Sequence, residues 1–158
     1  MPAQTQVELY RDIGVPGAKA SKNPAVYTVN NHIAIGPVPA GGFAWANPAD
    51  PEATASAFGA DAPLGFVERN IVYPNYTPMD PGTLVIPEGG TLTIAVKGDF
   101  YAMSTTAAVL GQAIFADLAD GSISTDDPGA VVAGAVETGW TVKKAGAAGE
   151  VIIISNWS

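Results

Sequence analysis

Few side chains in this sequence have the types and spacing to do chemistry: a single histidine, a scatter of aspartates and three tryptophans. His32 is the only histidine, so neither the usual Ser-His-Asp relay nor a metal centre of several histidines can be assembled around it. Beside Asn30 and Asn31 it reads as a turn or surface residue. Asp117, Asp120, Asp126 and Asp127 lie close to Gly121 and Gly129, which invites a calcium-loop reading. The spacing fails: aligning Gly121 with the invariant glycine of an EF-hand loop puts Ala116 and Leu118 where the first and third oxygen ligands must be. These residues are therefore read as turn formers. Trp45, Trp140 and Trp157 could stack on a sugar, but each sits in a strand-like pattern, where burial is the commoner fate. Among fifteen carboxylates no pair has the apolar setting that marks a glycosidase acid. With no cysteine, disulfides and thiolate metal sites are excluded. The expectation is a non-enzyme with no catalytic residue, cofactor or metal, whose work is done by surfaces.

Two stretches offer such surfaces. Residues 1–25 hold Pro2, Pro16 and Pro24 and no sustained period, so they read as an extended arm. Leu9, Tyr10, Ile13 and Val15, together with Arg11, could fill pockets of a neighbouring subunit along that arm. Farther on, the prolines from Pro74 to Pro81 break the chain into a surface loop carrying Tyr73, Tyr76 and Met79. Aromatic and methionine side chains held by proline bring large contact area at small entropic cost.

The scaffold that must position these residues is β-structured. Gly (18) and Pro (13) would suggest disorder in a polar chain, but 47% of residues are hydrophobic, so they mark turns between many short strands. In Thr91–Val96 the residues Leu92, Ile94 and Val96 alternate with Thr91, Thr93 and Ala95 as in a half-buried strand. Lys97-Gly98-Asp99 is expected to turn the chain so that Phe100–Met103 pairs back on it. Gln112–Ala116 and Ser122–Thr125, joined by Asp117–Gly121, predict a second hairpin. Strands are also expected within Val26–Ala46, Pro63–Tyr73 and Glu137–Lys144. The consecutive apolar residues Val151 to Ile154 predict a closing strand buried on both faces. Only Asp50–Gly59 looks helical, with aspartate as N-cap, proline at the first helical position and glycine at the end. At 158 residues the sum is one all-β domain, a sandwich or small jelly-roll-like barrel over residues 26–158, preceded by the arm of residues 1–25.

Charge narrows the partners. The net charge is −8, and it is uneven: residues 1–40 carry Arg11, Lys19 and Lys22 against Glu8 and Asp12, whereas the remainder carries four basic side chains against thirteen acidic ones. An acidic body without clustered Lys and Arg argues against nucleic acid. No apolar run approaches the roughly 18 residues of a membrane span, and Met1–Asp12 lacks the apolar stretch of a secretory signal, so the mature chain is expected to begin at Met1.

Taken in order, the segments GGFAWAN, PLGFVERN, VIPEGGTLTIAVKGDFYA, GQAIFADLADGSIST and ETGWTVKKAGAAGEVIIISNW resemble the structural cement, or capsid decoration, proteins of tailed bacteriophages. The likeness spans nearly the whole chain, and GDFYA, GQAIFADLADGSIST and ETGWTVKKAGAAGE are its most specific parts. It implies a β-domain on the outer surface of the mature virion, made in the host cytoplasm and binding the major capsid protein. It also implies self-association as a dimer or trimer, with no role for nucleic acid or membrane. No catalytic motif is shared across that family. The second reading is a carbohydrate- or receptor-binding module of a phage tail or cell surface.

Overall fold

Glycine and proline divide the chain into strands of two to ten residues. The protein is represented by a computed structural model, which describes residues 14–69 and 85–157. Among these residues there are fourteen strands and no helix. In chain order they are β1 (Val26–Tyr27), β2 (His32–Ala34), β3 (Val38–Pro39), β4 (Phe43–Ala46), β5 (Thr54–Ser56), β6 (Gly65–Val67) and β7 (Val85–Ile86). The second half supplies β8 (Thr91–Leu92), β9 (Ile94–Lys97), β10 (Asp99–Met103), β11 (Ala113–Asp117), β12 (Ile123–Asp126), β13 (Ala135–Lys144) and β14 (Val151–Ser155). They form a seven-stranded sheet in the order β1-β9-β6-β4-β5-β2-β8, a five-stranded sheet in the order β10-β14-β13-β11-β12, and the small pair β3-β7. All pairings are antiparallel except β2 with β5. The expected all-β sandwich is what the chain forms.

The seven-stranded sheet is buried on both faces along its middle strands, which explains their composition. Phe43, Trp45, Phe66 and Ala95 point into a core shared with Phe100, Ile114, Trp140, Val142 and Ile154 of the five-stranded sheet. Their neighbours Ala44, Val67 and Ile94 point the other way, into a second core with Val38 and Ile86 of the β3-β7 pair. Strands of this kind lose the polar half of the alternation, and Phe-Ala-Trp in β4 and Gly-Phe-Val in β6 are accordingly buried at every position. At the centre of the first core Phe43, Phe66, Phe100 and Trp140 form a ring cluster with centroids 5.1 to 6.1 Å apart, within the range of favourable edge and tilted contacts.

The hairpin of β11 and β12 forms in the expected place, with Ala113 opposite Asp126 and Ala116 opposite Ile123. So does the closing pair of β13 and β14. The first expected hairpin does not. β9 belongs to the seven-stranded sheet and β10 to the five-stranded one, so Gly98 passes the chain from one layer to the other. Asn156 holds this crossing: its Oδ1 accepts from the Gly98 amide at 3.0 Å and its Nδ2 donates to the Val96 carbonyl at 2.5 Å. Layering also buries the face expected to be polar: Ala95 is fully buried, whereas Val96 on the opposite face is only partly so.

Three further expectations are corrected. Asp50–Gly59 is not a helix: after a turn, Thr54–Ser56 becomes β5, with the edges of β2 and β4 available to pair its backbone. β14 lies inside its sheet between β10 and β13, yet Ile152 and Ile154 alone reach the main core, while Val151 and Ile153 on the other face are half-buried. His32 is 3% exposed; its two ring nitrogens lie 3.1 Å from the Asn30 carbonyl and 3.3 Å from that of Pro51, so it serves as an internal hydrogen-bonding residue.

Candidate functional site

Of the residues expected to contact a partner, Leu9, Tyr10, Arg11 and Ile13 in the arm and Tyr73, Tyr76 and Met79 in the proline-rich loop lie outside the described residues. Val15 is described. Its side chain is exposed, and its carbonyl accepts from the Ala18 amide at 3.1 Å in a turn near the start of the described residues.

From that turn the chain runs antiparallel along the edge of β10 in the five-stranded sheet, joined to it by a bridge. The Gly17 amide donates to the Tyr101 carbonyl, the Tyr101 amide to the Ala18 carbonyl, and the Ala20 amide to the Asp99 carbonyl, at 2.8 to 2.9 Å. Lys19 lies opposite Phe100. Small residues permit the approach: a Cβ on Gly14 would run into the Tyr101 ring, and one on Gly17 would press on Arg69 and Gly41. An exposed sheet edge offers unpaired N–H and C=O groups to any extended peptide, and here the chain's own segment occupies it.

A side-chain clamp fixes the end of this segment. Ser21 Oγ and Asn23 Nδ2 both donate to Asp99 Oδ2, at 2.6 and 2.7 Å. Burial by itself would raise the Asp99 pKa. Hydrogen bonds from Ser155, Ser21 and Asn23 and the positive charge of Lys143 outweigh it, so the carboxyl is held below its ordinary range. These groups, with Ile153 and Trp157, line a shallow hollow of about 360 Å³ on the outer face of the five-stranded sheet. Lys97 Nζ stands 4.9 Å from the Trp157 ring centroid, a cation–π distance. Nearby, Tyr27 is pushed up to about 12 by burial and by the hydrogen-bonded Glu68 carboxylate. Such a surface can hold chain.

The other chemically suggestive residues have structural duties. Asp117 Oδ1 accepts from the Ala119 amide at 2.8 Å, Asp120 Oδ1 from Ser122 at 2.9 Å, and Asp126 Oδ1 from Asp127 at 2.8 Å, so three of the four aspartates bend the backbone, as turn formers should. Trp45 and Trp140 are each 3% exposed, which leaves Trp157 as the one tryptophan with partial access. Trp45 donates its indole N–H to the Asp61 carbonyl at 2.6 Å. The three therefore do not make a sugar-stacking platform.

Sequence reading missed the clamp because Lys97-Gly98-Asp99 carries the signature of a hairpin turn. The one available signal was the cluster of short polar side chains Ser21 and Asn23 in an otherwise featureless arm, and it needs the third dimension to find Asp99.

Comparison with known proteins settles the family. The model of the XM1 gp53 minor capsid protein family matches residues 4–156. The chain belongs to that family. Among solved structures, a chain from the capsid of Myoviridae phage XM1 superposes with a TM-score of 0.65 at 14% identity, covering 99% of this chain and 98% of that one. At that identity the likeness is one of fold, and it extends from end to end. Searching curated proteins gives no match. The resemblance read from the sequence was thus to the right class: this is a structural protein of the phage capsid family.

Proposed function

We propose that this chain sits on the outside of the mature capsid and cements adjacent major capsid subunits, acting by adhesion and catalysing nothing. The observation that carries the reading is the match of residues 4–156 to a minor capsid protein family. The pairing of residues 17–20 with the edge of β10 supports it, because it roots the chain on the β-domain just downstream of Leu9, Tyr10, Arg11 and Ile13, the residues proposed to contact a neighbour. In this proposal residues 1–25 are the arm and residues 26–158 the body, with Val15, Tyr73, Tyr76 and Met79 as further contacts. Capsid subunits and other copies of this chain are its partners; nucleic acid and membrane are not.

A clip that binds only where mature subunits meet stabilises that arrangement by its differential affinity for it. A specific contact of this kind buries on the order of 1,200–2,000 Å². A small domain reaches such an area more readily when an extended arm adds to it, and many copies on one shell add avidity. The acidic exterior left facing outward keeps decorated particles apart.

The test is co-sedimentation of the purified chain with empty expanded capsids, for the full chain and for a deletion of residues 1–13. The full chain is expected to pellet saturably with shells, and the deletion to bind at least tenfold more weakly. Equal binding by both would refute the arm while leaving cementing intact; no binding by either would refute the reading as a whole.

A further inference from the structure

An exposed apolar feature among the described residues is centred on Phe58. This side chain is 58% exposed, and around it stand Ile35 at 37% and Val85 at 43%. Phe58 and Ile35 are shared by two hollows, one of about 530 Å³ that continues to Leu64 and one of about 390 Å³ that continues to Val85. The phenyl ring is thus a ridge between two apolar depressions.

Its exposure is built in. Ser56 Oγ donates to the Phe58 carbonyl at 2.8 Å, and the Gly59 amide donates to the Leu118 carbonyl at 3.0 Å. Gly59 lies against the Trp45 ring so closely that a Cβ would collide with it, and the Trp45 indole in turn holds the Asp61 carbonyl. Each backbone position around Phe58 is therefore tied to the core, and an aromatic side chain held this way binds at little cost in ordering.

Charge selects the occupant. The ionisable groups lining the two hollows are Asp61 and Asp120, both exposed, and neither has a cationic partner among the described residues. A second copy seated symmetrically on this face would bring the same two carboxylates against themselves, on a chain whose net charge is already −8. A partner segment with an apolar side chain beside lysine or arginine meets both features at once. We infer that the Phe58 ridge seats an extended, basic-flanked apolar segment of a capsid subunit. This rests on the capsid-binding reading above and gives it a second contact, independent of the arm.

The experiment measures binding of the full chain, Phe58→Ala and the double variant Asp61→Asn/Asp120→Asn to empty expanded capsids at two salt concentrations, with circular dichroism confirming that each variant folds. Phe58→Ala is expected to lose about thirtyfold in affinity, the scale of an aromatic hot spot. The double variant is expected to bind several-fold more weakly at low salt and to show a shallower salt dependence. If the full chain binds and both folded variants bind as it does, the Phe58 site is wrong and the capsid reading stands. If the full chain does not bind, the capsid reading itself has failed, and this site with it. Dimerisation of the full chain that Phe58→Ala abolishes would assign the face to a second copy and overturn the inference.

Discussion

Asp99 shows how a single side chain couples the arm to the body. Its carboxylate accepts from Ser21 and Asn23, which follow the segment paired with β10, and the surrounding donors and Lys143 hold its pKa below the ordinary value. A carboxyl whose folded pKa is depressed contributes stability that is present above its unfolded pKa, about 3.9, and is lost as pH falls through the folded value. The clamp is therefore expected to be fully closed at neutral pH and to release only in acid, below about pH 4. Amide hydrogen exchange checks this at Gly17 and Ala20: protection should fall in the wild type on acidification, and at pH 7 in Asp99→Ala. Unchanged protection in the variant would show that the backbone pairing alone holds the segment.

Elements are governed here by layering, and layering separates what was legible from what was not. The β11-β12 and β13-β14 pairs were readable because their turns carry local chemistry, such as Asp117 and Asp120 capping the Ala119 and Ser122 amides on either side of Gly121. Lys97-Gly98-Asp99 has equally good turn chemistry, and only the competition between two sheets decides that it is a crossing. Asp50–Gly59 has sound helix-capping signals, but an isolated helix of two turns is marginal, and the edges of two strands pair Thr54–Ser56 instead. His32, read as a turn or surface residue, is instead buried, with its ring nitrogens facing the carbonyls of Asn30 and Pro51. Among the partner residues expected from the sequence only Val15 is described, so the clamp and the Phe58 ridge came from the fold.

The junction between layers gives the sharpest test of this architecture. Gly121 has φ +72°, its carbonyl accepts from the Phe43 amide at 3.0 Å, and a Cβ there would strike the Phe43 carbonyl. Gly121→Ala therefore combines a left-handed backbone with a backbone collision, and is expected to cost roughly 2–4 kcal/mol in chemical denaturation. Gly129 has a similar φ of +79° but open space around it, so Gly129→Ala should cost only about 1 kcal/mol. Equal costs would mean that the turn does not brace β4.

At the scale of the whole molecule, the protein is a two-core β-domain whose N-terminal segment is stitched to one sheet edge and whose Phe58 ridge rises from another layer. In the proposed cementing role, contacts rooted in separate layers would let one small rigid body join two neighbours. Its acidic charge and its membership of a minor capsid protein family fit that use. The most direct measurement is the disruption temperature of empty expanded capsids, followed by light scattering with and without saturating purified chain. Cementing predicts a rise of several degrees that saturates at a fixed number of copies per shell; an unchanged temperature at saturation would contradict it.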